Sequence, residues 1–154
     1  EKLSKLKMGN ALDEISDIGA IISEEQLKRT LYYMDIAKKN SSTKILHGGN
    51  QSKGGEYKDG FYYEPTLLSG LPVSSPVCQE EVFGPVACAI PFKSFDEVMK
   101  SANDTQFGLS AVLWLAQHLK GGWGEEGAIL GKCVSEVKMF DSPVNGVLTV
   151  VESS

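Results

Sequence analysis

Cysteine is scarce and badly placed for a framework. Cys78, Cys88 and Cys133 are odd in number and widely spaced. No Cys-x-x-C occurs, so neither a zinc ribbon nor a disulfide scaffold is indicated. A reducing, cytoplasmic setting fits this usage best. Histidine is scarcer still, and His47 and His118 have no partners at metal-ligand spacing, which argues for no metal site. Positive charge is in deficit: the formal net charge of −5 argues against nucleic acid as a partner, because such binding wants a basic stripe. No apolar run approaches about 18 residues, which excludes a transmembrane helix of the usual kind. The start, Glu1-Lys2-Leu3-Ser4-Lys5-Leu6-Lys7, has no initiator Met and no apolar h-region, so it reads as a chain that begins part-way through something.

What remains is ordinary globular material, 42% hydrophobic and 23% charged over 154 residues, enough for one domain with a core. The first nine residues read as the end of a helix stopped by Gly9. Ser23-Glu24-Glu25-Gln26 is a capping box, with Gln26 reaching back to the cap. The helix it opens has Leu27, Leu31 and Met34 on one face, Glu24/Lys28 and Glu25/Arg29 as i,i+4 pairs, and an end near Lys39-Asn40. Residues 43–47 form a short strand, and 48–55 a glycine-rich loop without the Lys-Ser/Thr of a P-loop. Residues 61–68 are aromatic and extended, and 69–76 are loop. A strand over 86–92, a second capping box at Ser94-Phe95-Asp96-Glu97 and an apolar run over 109–115 read as a βαβ unit with parallel pairing. Beyond Trp114 the pattern predicts short helices over 115–120 and 125–133. It then predicts strands over 134–140 and 147–151, with Asn145-Gly146 as a tight turn.

The most informative stretch is Gln79-Glu80-Glu81-Val82-Phe83-Gly84-Pro85-Val86. Gly84 frees the backbone to turn or to approach a ligand, and Pro85 suits the start of a strand. Neighbouring residues of an extended chain point opposite ways, so one carboxylate faces solvent and the other inward. An acceptor-only carboxylate facing inward suits a pair of hydroxyls such as a ribose diol. Cys78 lies close by, but no histidine is near it in sequence and the two glutamates should raise its pKa. It and Cys88 are read as packing residues.

Glu-Glu-Val-Phe-Gly-Pro-Val resembles the signature of the NAD(P)-dependent aldehyde dehydrogenase superfamily. So do Met8-Gly9-Asn10 with Asp13, Ile18-Gly19-Ala20-Ile21-Ile22-Ser23, Tyr63-Glu64-Pro65-Thr66 and Asn103 to Gly108, in the family's order. The resemblance runs clearly over 1–114, with 115–154 diverged or gapped. It implies an α/β fold: a partial parallel sheet with flanking helices, all of 1–154 being one partial catalytic domain. It implies oxidation of a small-molecule aldehyde to a carboxylic acid, by a cysteine thiolate, hydride transfer to NAD(P) and a glutamate base. By the same resemblance Glu81 holds the nicotinamide ribose and Phe83 lies near the nicotinamide. The family's nucleophile, general base and glycine-bearing nucleotide motif match nothing here, and its Pro-Phe-Gly-Gly loop is missing. The chain therefore reads as a fragment with no catalytic residue of its own, inactive alone. The strand over 86–92 looks most like that of 2-aminomuconic semialdehyde dehydrogenase-like members. The alternative is a non-catalytic module that forms homo-oligomers or pairs with full-length subunits, using 147–151 as an exposed edge.

Overall fold

The computed structural model describes residues 3–104, 110–119, 122–131 and 145–151, the last three stretches as backbone. The chain divides into two compact units, Glu1–Leu71 with Val82–Val86, and Pro72–Glu81 with Ala87–Ser154.

In the first unit the lead-in is one 3₁₀ turn, Leu3–Lys5, and not the end of an α-helix; Met8 instead forms a parallel bridge with Ile18. Helix α1, Glu24–Lys39, starts where Ser23 Oγ accepts from the Gln26 backbone N–H at 3.2 Å. The Lys28–Glu24 ion pair forms at 2.9 Å, on an exposed face where it adds little. Leu27, Thr30, Tyr33, Met34 and Ala37 are its buried side chains, at helical spacing, and Leu31 stays outside that group. Strand β1, Lys44–His47, pairs antiparallel with β4, Thr66–Ser69, through a bulge between Ile45 and His47. The expected loop after β1 contains a two-residue strand, β2, Gln51–Ser52, paired with β3, Tyr62–Tyr63.

The second unit opens with α2, Pro76–Gln79, and continues through β5, Val86–Phe92, whose first residue belongs to the other unit. Helix α3, Phe95–Ala102, is capped by Ser94 Oγ accepting from Glu97 N–H at 3.2 Å. Val98 and Ala102 of this helix are buried, joined in the core by Phe92 and Val77. Strands β6, Ser110–Leu119, β7, Gly122–Gly131, and β8, Asn145–Val151, complete it in the order β5-β8-β6-β7.

Both β5 and β6 pair antiparallel with β8, so they run parallel to each other, with helix α3 between them in sequence. The α/β class with parallel-running strands and flanking helices therefore stands, but the expected neighbour is displaced: β8 lies between them. Residues 115–119 and 125–131 are strand and not helix. They form one ladder, from Ser110↔Gly131 to Leu119↔Gly122. Leu, Ala and Gln favour a helix only weakly, and a long cross-strand ladder overrides them. Asn145-Gly146 is the start of β8 and not a turn. The strand expected over 134–140 lies outside the described residues.

One core residue gives a pH test. Tyr63 is 1% exposed, and its hydroxyl has no hydrogen-bond partner among the described residues. Burial first, then Glu64 and Asp35, pushes its pKa up to about 12 from 10.0. Between those two values the unfolded chain gives up the proton while the folded chain keeps it. The stabilising effect is thus whole below pH 10.0 and is lost as pH rises through about 12. Tyr63→Phe should remove it. Wild-type stability relative to the variant should fall by up to ~1.4 kcal/mol per pH unit in that window, read by urea titration. A flat difference would contradict this account.

Candidate functional site

The segment Val82–Val86 lies in the same unit as helix α1, which holds it in place. Gln26 does not reach back to its own cap. Its Nε2 donates to the carbonyls of Val82, at 2.8 Å, and Phe83, at 2.6 Å. One turn on, the Thr30 hydroxyl donates to the Gln26 carbonyl at 3.1 Å. Thr30 is fully buried, and a Cβ on Gly84 would run into its Oγ1 and lie 3.1 Å from its Cγ2. Gly84 therefore serves a close approach, as its residue type suggested, but to the protein's own helix.

The turn itself falls on Phe83, at φ 52, the one described non-glycine residue with positive φ. A bulky residue in that region is strained by about 1–2 kcal/mol, and the two Gln26 hydrogen bonds hold it there. The result is a ring that stays 47% exposed. Arg29 Cζ lies 5.8 Å from that ring's centroid and 5.7 Å from that of Tyr33, within cation–π range of both. Beyond the turn, Val86 N–H donates to the Gly84 carbonyl at 2.7 Å across Pro85. The Pro85 carbonyl accepts from Thr66 N–H at 2.7 Å, and Thr66 Oγ1 accepts from Gly49 N–H at 2.8 Å and donates to the Glu64 carbonyl at 2.7 Å. Tyr63-Glu64-Pro65-Thr66 is thus tied into the same support.

In the other unit, Glu80 ends α2, its N–H donating to the Pro76 carbonyl at 2.9 Å. Gln79 Nε2 donates to the Val73 carbonyl at 2.9 Å and pins the preceding loop. Glu80 is exposed and Glu81 half-buried. Cys78 and Cys88 are free, half-buried thiols. Interaction with Cys88 lowers the Cys78 pKa against the opposing effect of burial, and interaction with Cys78 together with burial raises that of Cys88. The upward shift expected for Cys78 from its glutamates is thereby reversed, because the largest effect on it comes from the other thiol.

The first unit also contains a cleft of about 1000 Å³, bordered by Met8, Asn10, Asp13, His47, Tyr57 and Glu64. Tyr57 OH donates to the Met8 carbonyl at 3.3 Å beside it. Among the described residues no cluster of three metal-ligating side chains occurs, and no helix is long and apolar enough to cross a membrane. His118 has its backbone in β6, and Cys133 lies outside the described residues.

Sequence reasoning singled out Glu81, Phe83 and Gly84 and missed Gln26, Arg29, Thr30 and Tyr33. Their i, i+3, i+4, i+7 spacing marks one helix face, but nothing local says what that face meets 56 residues later.

Comparison with known proteins bears on the same residues. The model of the aldehyde dehydrogenase family matches residues 1–121. Aldehyde dehydrogenase B of Escherichia coli is 42% identical over 113 residues, covering 73% of this chain and 22% of that protein. A 2-aminomuconic 6-semialdehyde dehydrogenase of a Pseudomonas species is 34% identical over 114 residues, 74% of this chain and 23% of that one. The solved betaine aldehyde dehydrogenase of Staphylococcus aureus, in complex with NAD+, aligns at a TM-score of 0.65 and 36% identity, over 70% of this chain and 21% of its own. The chain therefore spans under a quarter of the length of the relatives it matches. With the Glu81-Val82-Phe83-Gly84-Pro85 turn, the Pro-Thr strand that supports it and this breadth of match, the chain belongs to the aldehyde dehydrogenase family.

Proposed function

We propose that these residues form the nicotinamide-ribose part of an NAD(P)-dependent enzyme that oxidises an aldehyde to a carboxylic acid. The observation that carries this is the turn at Phe83, held at positive φ by Gln26 so that an aromatic face stays open to a ligand. A half-buried carboxylate at Glu81 supplies the matching chemistry, an acceptor for two hydroxyl donors. NAD(P), when bound, supplies the hydride acceptor. Glu81 would take the ribose hydroxyls, and Phe83 would lie against the nicotinamide. Among the described residues no group takes the part of the nucleophile. The polarisation of Cys78 comes from another thiol and not from a base, which is the wrong chemistry for a thiolate that must attack at neutral pH. A cytoplasmic setting goes with this reading, because three widely spaced cysteines without a Cys-x-x-Cys offer no disulfide framework.

The 154-residue chain, given NAD or NADP and a panel of aldehydes, should show no reduction of the nucleotide above buffer, followed by absorbance. Turnover that survives replacement of Cys78, Cys88 and Cys133 by serine would sink the assignment of roles.

A second reading, the pairing module, has a specific observation behind it, though not the expected one. Strand β8 is no edge: it is paired on both sides, by β5 and β6. The end of that order is β7, which pairs only with β6 among the described residues. An edge strand presents unpaired backbone groups that a second chain can take up. Light scattering on a mixture with a full-length relative should then show a complex at micromolar concentration. Separate peaks at that concentration would count against it.

A further inference from the structure

We propose that Thr30 is a positioning residue for the nicotinamide site: its side chain sets how closely the Phe83-Gly84 turn seats on helix α1, and so how the Phe83 ring is presented. The consequence for the nucleotide rests on the proposed function. The packing that sets the turn does not.

Gly84 is not among the glycines at positive φ, so its backbone conformation is open to a residue with a side chain. What requires glycine there is space. A Cβ would run into Thr30 Oγ1 and lie 3.1 Å from Thr30 Cγ2 and 3.3 Å from Thr30 Cβ, and these are the three atoms nearest to it. Thr30 has no room to give. It is 0% exposed, and its hydroxyl donates to the Gln26 carbonyl at 3.1 Å, which with the branched Cβ fixes its χ1.

One turn back on the same helix, Gln26 Nε2 grips the Val82 and Phe83 carbonyls at 2.8 and 2.6 Å. The turn is thus pulled toward α1 at 82 and 83 and stopped by Thr30 at 84. A pull without a stop leaves the depth of the seat open. Any change of depth must be absorbed by φ and ψ of Phe83, the residue at φ 52 between the two contacts. Thr30 therefore acts on the Phe83 ring through the backbone of Gly84, without itself reaching a ligand.

The test uses the full 154-residue chain as wild type, Gly84→Ala, Thr30→Ala, the double variant Thr30→Ala/Gly84→Ala, and Thr30→Ser/Gly84→Ala. Urea titration gives the folding constant. NMR gives the conformation at 83, because positive φ brings a residue's own amide and α protons close and strengthens the cross-peak between them. Gly84→Ala should lower the folding constant roughly 5- to 30-fold and weaken the Phe83 cross-peak, as a methyl forced against a fixed side chain lifts the turn. Thr30→Ala removes Oγ1 and Cγ2. In that background Gly84→Ala should cost less than about threefold, and the cross-peak should return. Thr30→Ser keeps the nearest obstacle and should rescue little. If Gly84→Ala does not fold at all, folding of the double variant is the same rescue. An equal loss from Gly84→Ala with and without Thr30→Ala, or a Phe83 cross-peak unchanged along the series, would overturn the proposal.

The nucleotide is tested separately, with this segment set into the E. coli relative in place of its 113 matching residues. There kcat/KM for NAD(P) should fall roughly tenfold in Gly84→Ala and recover in the double variant, since small misplacements in a site are costly. If the turn responds in the chain but the kinetics do not, it is the assignment of Phe83 to the nicotinamide that fails. If the turn does not respond, Thr30 has no positioning role and the dehydrogenase reading is untouched.

Discussion

Gly48→Ala should destabilise the protein by about 3 kcal/mol, the sum of a left-handed backbone penalty of about 1–2 kcal/mol and an overpacking cost of at least about 1 kcal/mol. Gly48 sits just after β1 at φ 67, where an L side chain is strained whatever the space. Here there is no space either: a Cβ would run into the Pro65 carbonyl and come within 2.7 Å of Thr66 Oγ1. The first obstacle is backbone and cannot swing aside. The second is an oxygen already engaged with Gly49 N–H and the Glu64 carbonyl, in a residue only 2% exposed. Moving Thr66 would also disturb the hydrogen bond from its N–H to the Pro85 carbonyl, and with it the turn at Phe83. Gly55 is the internal control. It has a similar φ of 54, but a Cβ there would meet nothing within 4 Å. Gly55→Ala should therefore show only the backbone part, about 1–2 kcal/mol. Urea titration of the two variants separates the terms. If both lose the same stability, the contact with Pro65 is not what requires glycine at 48.

This dependence of a loop on a glycine distant in sequence shows where the sequence was legible. The helix over 24–39 announced itself through Ser23, its buried face and its i,i+4 charges, all of them local. Strands β1 and β5 were readable because apolar runs between loop residues have few other uses. What failed was non-local. Gln26 looked like half of a capping box, but its amide had a better pair of acceptors in Val82 and Phe83, and no local rule could rank a partner so far along the chain. The order β5-β8-β6 was hidden for the same reason: a strand from the end of the chain inserts between two that are neighbours in sequence. The helices expected over 115–120 and 125–133 rested on propensities of a few tenths of a kcal/mol per residue, which the pairing of β6 with β7 outweighs.

For the site the division is similar. The two glutamates were told apart only as one in and one out; the structure gives exposed Glu80 and half-buried Glu81. The flexible residue of the turn was taken to be Gly84, whereas the positive φ falls on Phe83. Spacing assigns the glycine to whatever comes close. Which residue turns is settled by which carbonyls find donors, and that is a property of α1. The effect of one thiol on the other was equally invisible: Cys78 and Cys88 were judged singly, each against its sequence neighbours, and the lowering of the Cys78 pKa by Cys88 is a tertiary effect.

Glu81→Gln is the substitution that should cost most in function. It is best measured in a chimaera, with this chain's segment replacing the 113 matching residues of the E. coli relative. The side-chain amide keeps the shape of the carboxylate but replaces one acceptor oxygen with a donor nitrogen, which then faces a hydroxyl donor. A hydrogen bond to a charged group contributes about 1.5–3 kcal/mol, so KM for NAD(P) should rise roughly 10- to 100-fold, with kcat changed less. Losing a contact made equally in ground and transition states shows in KM, whereas any part of it that orients the nicotinamide shows in kcat. Glu81 is half-buried, so thermal melting of the variant beside the parent separates a KM effect from a folding effect. Glu80→Gln, at the exposed neighbour, should leave KM within about twofold, since an exposed carboxylate contributes little to binding. Equal effects at 80 and 81 would mean general charge and not a ribose contact. No effect at 81 would remove Glu81 from the cofactor site, leaving Phe83 and its Gln26-held turn to account for the geometry alone.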